Sequence, residues 1–154
     1  AYVANNVNDS ARYEVRLKTY LAFLEKVGRP EEIIDLNTSV PAEERVQSIK
    51  NYITRHGCPD AILCQNDEGA IHTYQAVTGL GYRIPEDVLL VGCDGLPFLE
   101  YFGTPLSTIA LPMEEICETA SRFLQNRMAE SDIPIQRAVV PAHLVVRKSL
   151  SLDA

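Results

Sequence analysis

An acid at the end of an apolar run is the first place where this chain offers chemistry. Residues 88–91 are apolar and β-rich without polar alternation, Gly92 follows, and Asp94 stands where the run ends. Such a run fits a strand covered on both faces, as in a parallel sheet, and Gly92 is expected to let the backbone turn tightly. In open α/β sheets ligands gather beyond the carboxyl ends of the strands. Asp94 is therefore either an acceptor for a ligand or a loop carboxylate that caps nearby amides. The same edge collects more polar groups. Asn5, Asn6 and Asp9 follow the first predicted strand, Asn37 the second, and Gln65, Asn66 and Asp67 the third. Taken singly, Asn66 or Asp67 caps a helix and Asn37 fills a turn. Taken together, a polar cluster after each strand exceeds what caps require, and Asn and Asp suit a polyhydroxylated or heterocyclic ligand. Arg16 shares a helix face with Arg12 and lies two turns into the first helix, where its side chain leans back over that edge. The candidate ligand-binding residues are Arg16, Asn66, Asp67 and Asp94.

Catalysis finds less support. The chain has no GxSxG, HExxH, phosphate-binding GxxxxGK[ST] or GxGxxG after its first strand. A phosphoacceptor domain of this topology wants an acid pair after strand one, where Asn5 and Asn6 stand instead. The four cysteines, Cys58, Cys64, Cys93 and Cys117, form no CxxC pair, and His56, His72 and His143 show no ligand spacing to them. Neither a metal site nor a cofactor is expected, and four reduced thiols suit a cytoplasmic protein. A formal net charge of −7 over 154 residues argues against direct nucleic-acid binding by this chain. No apolar run reaches the length of a membrane span.

The elements that must position these groups alternate strand and helix. Residues 2–4 read as a strand, so the chain is expected to begin inside a folded element and to be a piece of a larger protein. Asp9 and Ser10 offer N-caps for a helix to about Val27, with Tyr13, Leu17, Tyr20, Leu21, Leu24 and Val27 as its apolar stripe and Gly28 as its stop. A strand at 33–36 precedes a helix entered at Pro41, which buries Val46, Ile49 and Ile53 and stops at Gly57. A strand at 61–64 leads to a third helix with Ala70, Tyr74 and Val77 inward, closed by Gly79 and Gly81. This rhythm predicts an α/β fold with three layers: a mainly parallel sheet, right-handed crossovers and helices on both faces. Beyond Pro105 the pattern changes to an extended segment at 106–110, a helix at 113–128, and short extended runs at 138–140 and 144–146.

Three segments carry a resemblance to one family. PDAILCQNDEGAIHTYQAVTGLGYRIPEDVLLVGCDGLPFLEYFGTPLSTI resembles the long signature of the effector-binding domain of lactose-repressor-type (LacI/GalR) transcription regulators. VVPAHLVVRKS is similar to that family's C-terminal ending, and DSARYEVRLKTYLAFL to its helix with a ligand-binding arginine. The resemblance implies half of a periplasmic-binding-protein-like clamp. Residues 1–111 would form the C-terminal subdomain, 112–137 a crossover helix segment seated on an N-terminal subdomain absent from this chain, and 138–154 the return strands and tail. It further implies that Arg16 holds ligand oxygens, that Asn66 or Asp67 lines the cleft, and that Asp94 accepts from ligand hydroxyls. Two positions depart from the family pattern: Val40 or a neighbour replaces an aromatic before the second helix, and Leu111 replaces a polar residue.

The function implied is binding of a small-molecule effector, a sugar or related polar metabolite, together with homodimerisation. Operator DNA would be met only through a headpiece absent from this chain. The implied dimer seam comprises Ile71, Tyr74 and Gln75 of the third helix, beside Phe98, Tyr101 and Phe102 of the loop FLEYFG. The alternative for those aromatics is to fold back on their own core. Two other functions share the fold: a periplasmic solute-binding protein of a sugar transporter and a flavodoxin-like enzyme.

Overall fold

The computed structural model describes residues 1–7 and 14–151. Strand β1 (Tyr2–Asn5) leads to helix α1 (Val15–Val27), β2 (Ile33–Leu36), α2 (Ala42–His56), β3 (Ala61–Cys64), α3 (Asp67–Gly79) and β4 (Leu89–Asp94). A short 3-10 helix (Pro97–Tyr101) precedes β5 (Ser107–Ala110), α4 (Met113–Ala129) and β6 (His143–Val145). The strand order is β2-β1-β3-β4-β5-β6. Every pairing is parallel except the last, in which β6 runs antiparallel to β5 with Ile109 opposite Leu144.

The period-two alternation of each strand divides its side chains between two apolar layers. Val3, Ile34, Leu36, Ile62, Cys64 and Leu90 face α2 and α3, where Ile49, Ile53, Ala70, Ala76 and Val77 are buried against them. Tyr2 and Ala4 face α1 and pack on Leu17, with Tyr20, Leu21, Ile33 and Leu63 around them. The predicted α/β sheet with helices on both faces is thus the observed one, and the reversal of strand order between β1→β2 and β2→β3 is what puts α1 opposite α2 and α3.

The helix punctuation follows from local chemistry. Gly28 takes the left-handed conformation (φ 65°) and its N–H reaches back to the carbonyls of Leu24 and Glu25. The N-cap of α1 is Glu14, whose carboxylate accepts from the Leu17 N–H at 2.9 Å. The expected caps Asp9 and Ser10, with Arg12 and Tyr13, lie outside the described residues. Asn66 caps α3 by accepting from the Gly69 N–H at 2.8 Å.

Four expectations need correction. Val27 does not join the buried stripe of α1: it is 47% exposed in the last turn. Residues 138–140 form no strand, because nothing in the described chain pairs with them. Strand β4 does not stop before Gly92 but runs through it to Asp94, with Cys93 paired beside Ile109 of β5. The tight turn comes later, at Asp94 (φ 124°) and Gly95 (φ 86°). Gly92 is required for a different reason. A Cβ there would lie 2.2 Å from Oδ1 of Asp67, so the missing side chain makes room for a carboxylate.

The C-terminal segment returns to the sheet through polar contacts. Ser149, fully buried, accepts from the Ser107 N–H at 2.8 Å and donates to the Leu90 carbonyl at 2.6 Å. Arg147 donates to the Leu106 carbonyl at 2.6 Å. Helix α4 is different: none of its residues is buried. It is backed by the segment that follows, where Gln136 donates to the Phe123 carbonyl and accepts from Asn126.

Candidate functional site

The polar groups at the carboxyl ends of β1, β3 and β4 meet around one arginine. Arg16, in the first turn of α1, sends its guanidinium back over the sheet edge. There it donates to the Gln65 carbonyl and to Oδ1 of Asp94 at 3.2 Å. Its Nε lies 3.4 Å from Oε1 of Glu14. The side chains of Arg16 and Asp94 are 41% and 37% exposed, so both present polar atoms to the outside of the edge. Gln65 ties the neighbouring strand end by accepting from the Asn5 N–H at 2.9 Å.

Burial raises the Asp94 carboxyl above the ordinary aspartate range. Arg16 opposes the rise, while Asp67 and Glu14 add to it. Desolvation works against the charged guanidinium of Arg16, but Cys93, Asp94, Glu14 and Tyr2 together leave its pKa raised. The pair is a pre-formed donor and acceptor side by side. That suits a ligand offering both hydroxyl protons and oxygen lone pairs.

Asp67 departs from expectation. It is fully buried, and its Oδ2 accepts from the N–H groups of Gly95 and Leu96 at 2.8 and 2.7 Å while Oδ1 accepts from the Thr108 hydroxyl at 2.7 Å. A carboxylate with three such donors has no capacity directed at the surface. Its role is to hold the turn after β4, and with it the positive φ of Asp94. Asn66 is half-buried at the same edge, with its side-chain oxygen engaged in the α3 cap.

The strand ends nearer β2 are closed among themselves. Asn6 donates to the Thr38 hydroxyl and accepts from the Thr38 N–H at 2.9 Å, and Asn37 accepts from the Ser39 N–H at 2.8 Å. Arg45 pins this loop by donating to the carbonyls of Thr38 and Val40 and pairing with Glu68 at 2.7 Å. The polar cluster thus splits into a half at β2 that bonds within itself and a half centred on Arg16 and Asp94.

An apolar groove of about 510 Å³ adjoins the Arg16 half. It runs between α1 and the uncovered side of β3–β5, past Phe23, Cys93, Ile109 and Leu111. Tyr2 lies in its floor, stacked on Tyr20 at 4.9 Å between ring centroids. The Tyr2 hydroxyl is buried with no hydrogen-bond partner among the described residues. Burial, foremost, and the charge of Glu14 push its pKa up. Sequence reasoning singled out neither Glu14 nor the groove. Glu14 was legible as an acid next to a helix start, but which way a bare sheet side faces has no signature along the chain.

The periplasmic binding protein-like domain matches residues 1–150. The chain belongs to that family. Among its relatives is the HTH-type transcriptional repressor PurR of Mannheimia succiniciproducens, 30% identical over 112 residues, 73% of this chain and 34% of that protein. Another is the lactose operon repressor of Rhizobium radiobacter, 33% identical over 107 residues, 70% of this chain and 94% of that sequence. A solved LacI-family transcriptional regulator from Arthrobacter, in complex with lactose, superposes with a TM-score of 0.84 at 26% identity, covering 97% of this chain and 57% of that one. The resemblance to lactose-repressor-type regulators therefore holds in sequence and in fold. The chain spans about a third of the length of the PurR relative.

Proposed function

We propose that this chain is the effector-sensing and dimerising half of a cytoplasmic transcription regulator's ligand-binding domain. Arg16 and Asp94 would hold hydroxyl groups of the effector from one side, Asn66 would border them, and Asp67 would position Asp94 from beneath. The observation that carries this reading is the exposed Arg16–Asp94 pair at the strand ends, at the edge where open α/β sheets take ligands. Support comes from relatives that are transcriptional repressors and from the lactose held by the Arthrobacter regulator.

In this reading residues 1–111 form the sensing subdomain. Residues 112–137 cross to an opposite subdomain outside the chain, and 138–154 return. Helix α4, with no buried residue, is then a helix awaiting its seat. Contact with operator DNA belongs to a segment outside this chain. The dimer seam would be Ile71, Tyr74 and Gln75 with Phe98, Tyr101 and Phe102.

The reading is tested by titrating the chain and its Asp94→Ala variant with lactose and a panel of neutral monosaccharides, followed by NMR chemical shifts. Loss of a hydrogen-bond partner at the edge is expected to cost about 1–3 kcal/mol. Shifts centred on Arg16, Gln65 and Asp94 that vanish in the variant support it. Identical titrations of both proteins remove Asp94 from the site.

A further inference from the structure

We propose that the effector taken at this edge is uncharged, and that acidic sugars and sugar phosphates are turned away by the site's own carboxylates. The inference rests on the effector-edge reading and adds the charge class of the ligand.

An arginine recognises a ligand carboxylate or phosphate by offering an open fork of donors and an unbalanced positive charge. Arg16 offers neither in full. Its NH1 is shared between the Gln65 carbonyl and Asp94, and its Nε faces Glu14 at 3.4 Å. One guanidinium is thus set between two carboxylates, with the Asp67 carboxylate buried behind them. The position of Glu14 is not incidental. The same carboxylate caps α1 through the Leu17 N–H, so the helix start holds it beside the arginine.

Among the described residues, Arg45 at the β2 end of this edge is engaged by Glu68 and two carbonyls. Burial, foremost, raises the Asp94 carboxyl, and the carboxylates of Asp67 and Glu14 add to that rise against Arg16. A second anion brought against Asp94 meets like charge in a partly desolvated place, which is how a site discriminates by repulsion rather than by lost contacts. A neutral polyol meets no such cost. Its hydroxyls donate to Asp94 and Glu14 and accept from Arg16.

The test pairs each neutral probe with its anionic counterpart at constant ionic strength. D-glucose and D-galactose are titrated against D-glucuronate, D-galacturonate and the two hexose 6-phosphates, with the chain, Glu14→Gln and Asp94→Ala, followed by NMR chemical shifts. The expected result is binding of a neutral sugar at least about tenfold tighter than its acid or phosphate, a ratio that Glu14→Gln narrows. Equal or tighter binding of an anionic member, abolished by Asp94→Ala, overturns the charge selection and leaves the effector edge standing. No site-centred shift with any probe overturns the effector edge and this inference with it.

Discussion

At the scale of the residue, the site depends on a carboxylate that never reaches the surface. Asp67 collects two backbone N–H groups and one hydroxyl from the segment after β4. These bonds hold Asp94 at φ 124°, a conformation that side chains avoid. Gly92 is the vacancy into which that carboxylate fits. Gly92→Ala is therefore expected to destabilise the chain by about 1–3 kcal/mol, the range for forcing extra volume into a packed interior, and to displace Asp94 as well. Urea unfolding measures the first effect and the NMR environment of Asp94 the second; an unchanged midpoint would show that Asp67 can move aside without cost. Asp94 also links binding to pH. Its carboxyl sits above the ordinary aspartate range, and in the proposed site the ionised form is the stronger acceptor for ligand hydroxyls. Effector affinity is expected to be full above that raised value and to fall as acidification passes through it. The fall begins at a higher pH than an ordinary aspartate would give, and a titration at stepped pH would show it.

At the scale of the element, α1 and α4 form a contrast. Both are amphipathic in sequence. Leu17 of α1 is 1% exposed against Tyr2 and Ala4, whereas Leu124 of α4 is 62% exposed. Leu17→Ala is expected to cost about 2–5 kcal/mol, the usual penalty for emptying a core site. Leu124→Ala is expected to change stability by less than about 0.5 kcal/mol, as at other surface positions. Denaturant melts of the two variants decide this. A large loss in Leu124→Ala would mean that α4 has found a seat in solution, on the sheet or on a second copy.

At the scale of the whole molecule, exposed apolar surface needs an owner. Tyr101 and Phe98 are 80% and 47% exposed at the 3-10 helix. Beside them Phe102 meets Tyr74 of α3 edge-on at 5.2 Å. Leu99 between them is fully buried and Phe102 packs on the core, so the loop is anchored there and shows Phe98 and Tyr101. A patch of this kind marks an association surface. The chain is expected to run as a dimer in light scattering, and a Phe98→Glu, Tyr101→Glu double variant as a monomer with an unchanged melt. A parent chain that is monomeric at the same concentration would remove this face from the interface.

The amino-acid sequence by itself determined the elements of this protein and their order. Short apolar runs marked β1 to β4, glycines and prolines marked where helices end, and the residues after each strand marked a polar edge of the sheet. These are local signals, and the right-handed crossover rule turns them into a topology. The tertiary structure alone decided which of those polar residues look outward. Asp67 and Asp94 are both acids just past a strand, and nothing in their spacing separates them. Asp67 is turned under Gly95 and Leu96 because three donors converge there, and Asp94 is turned outward by the strained turn those bonds hold. Likewise the stripe of α4 reads like that of any core helix, yet hydrophobic burial requires a partner surface, and whether one is present is a property of the assembled chain and not of the helix.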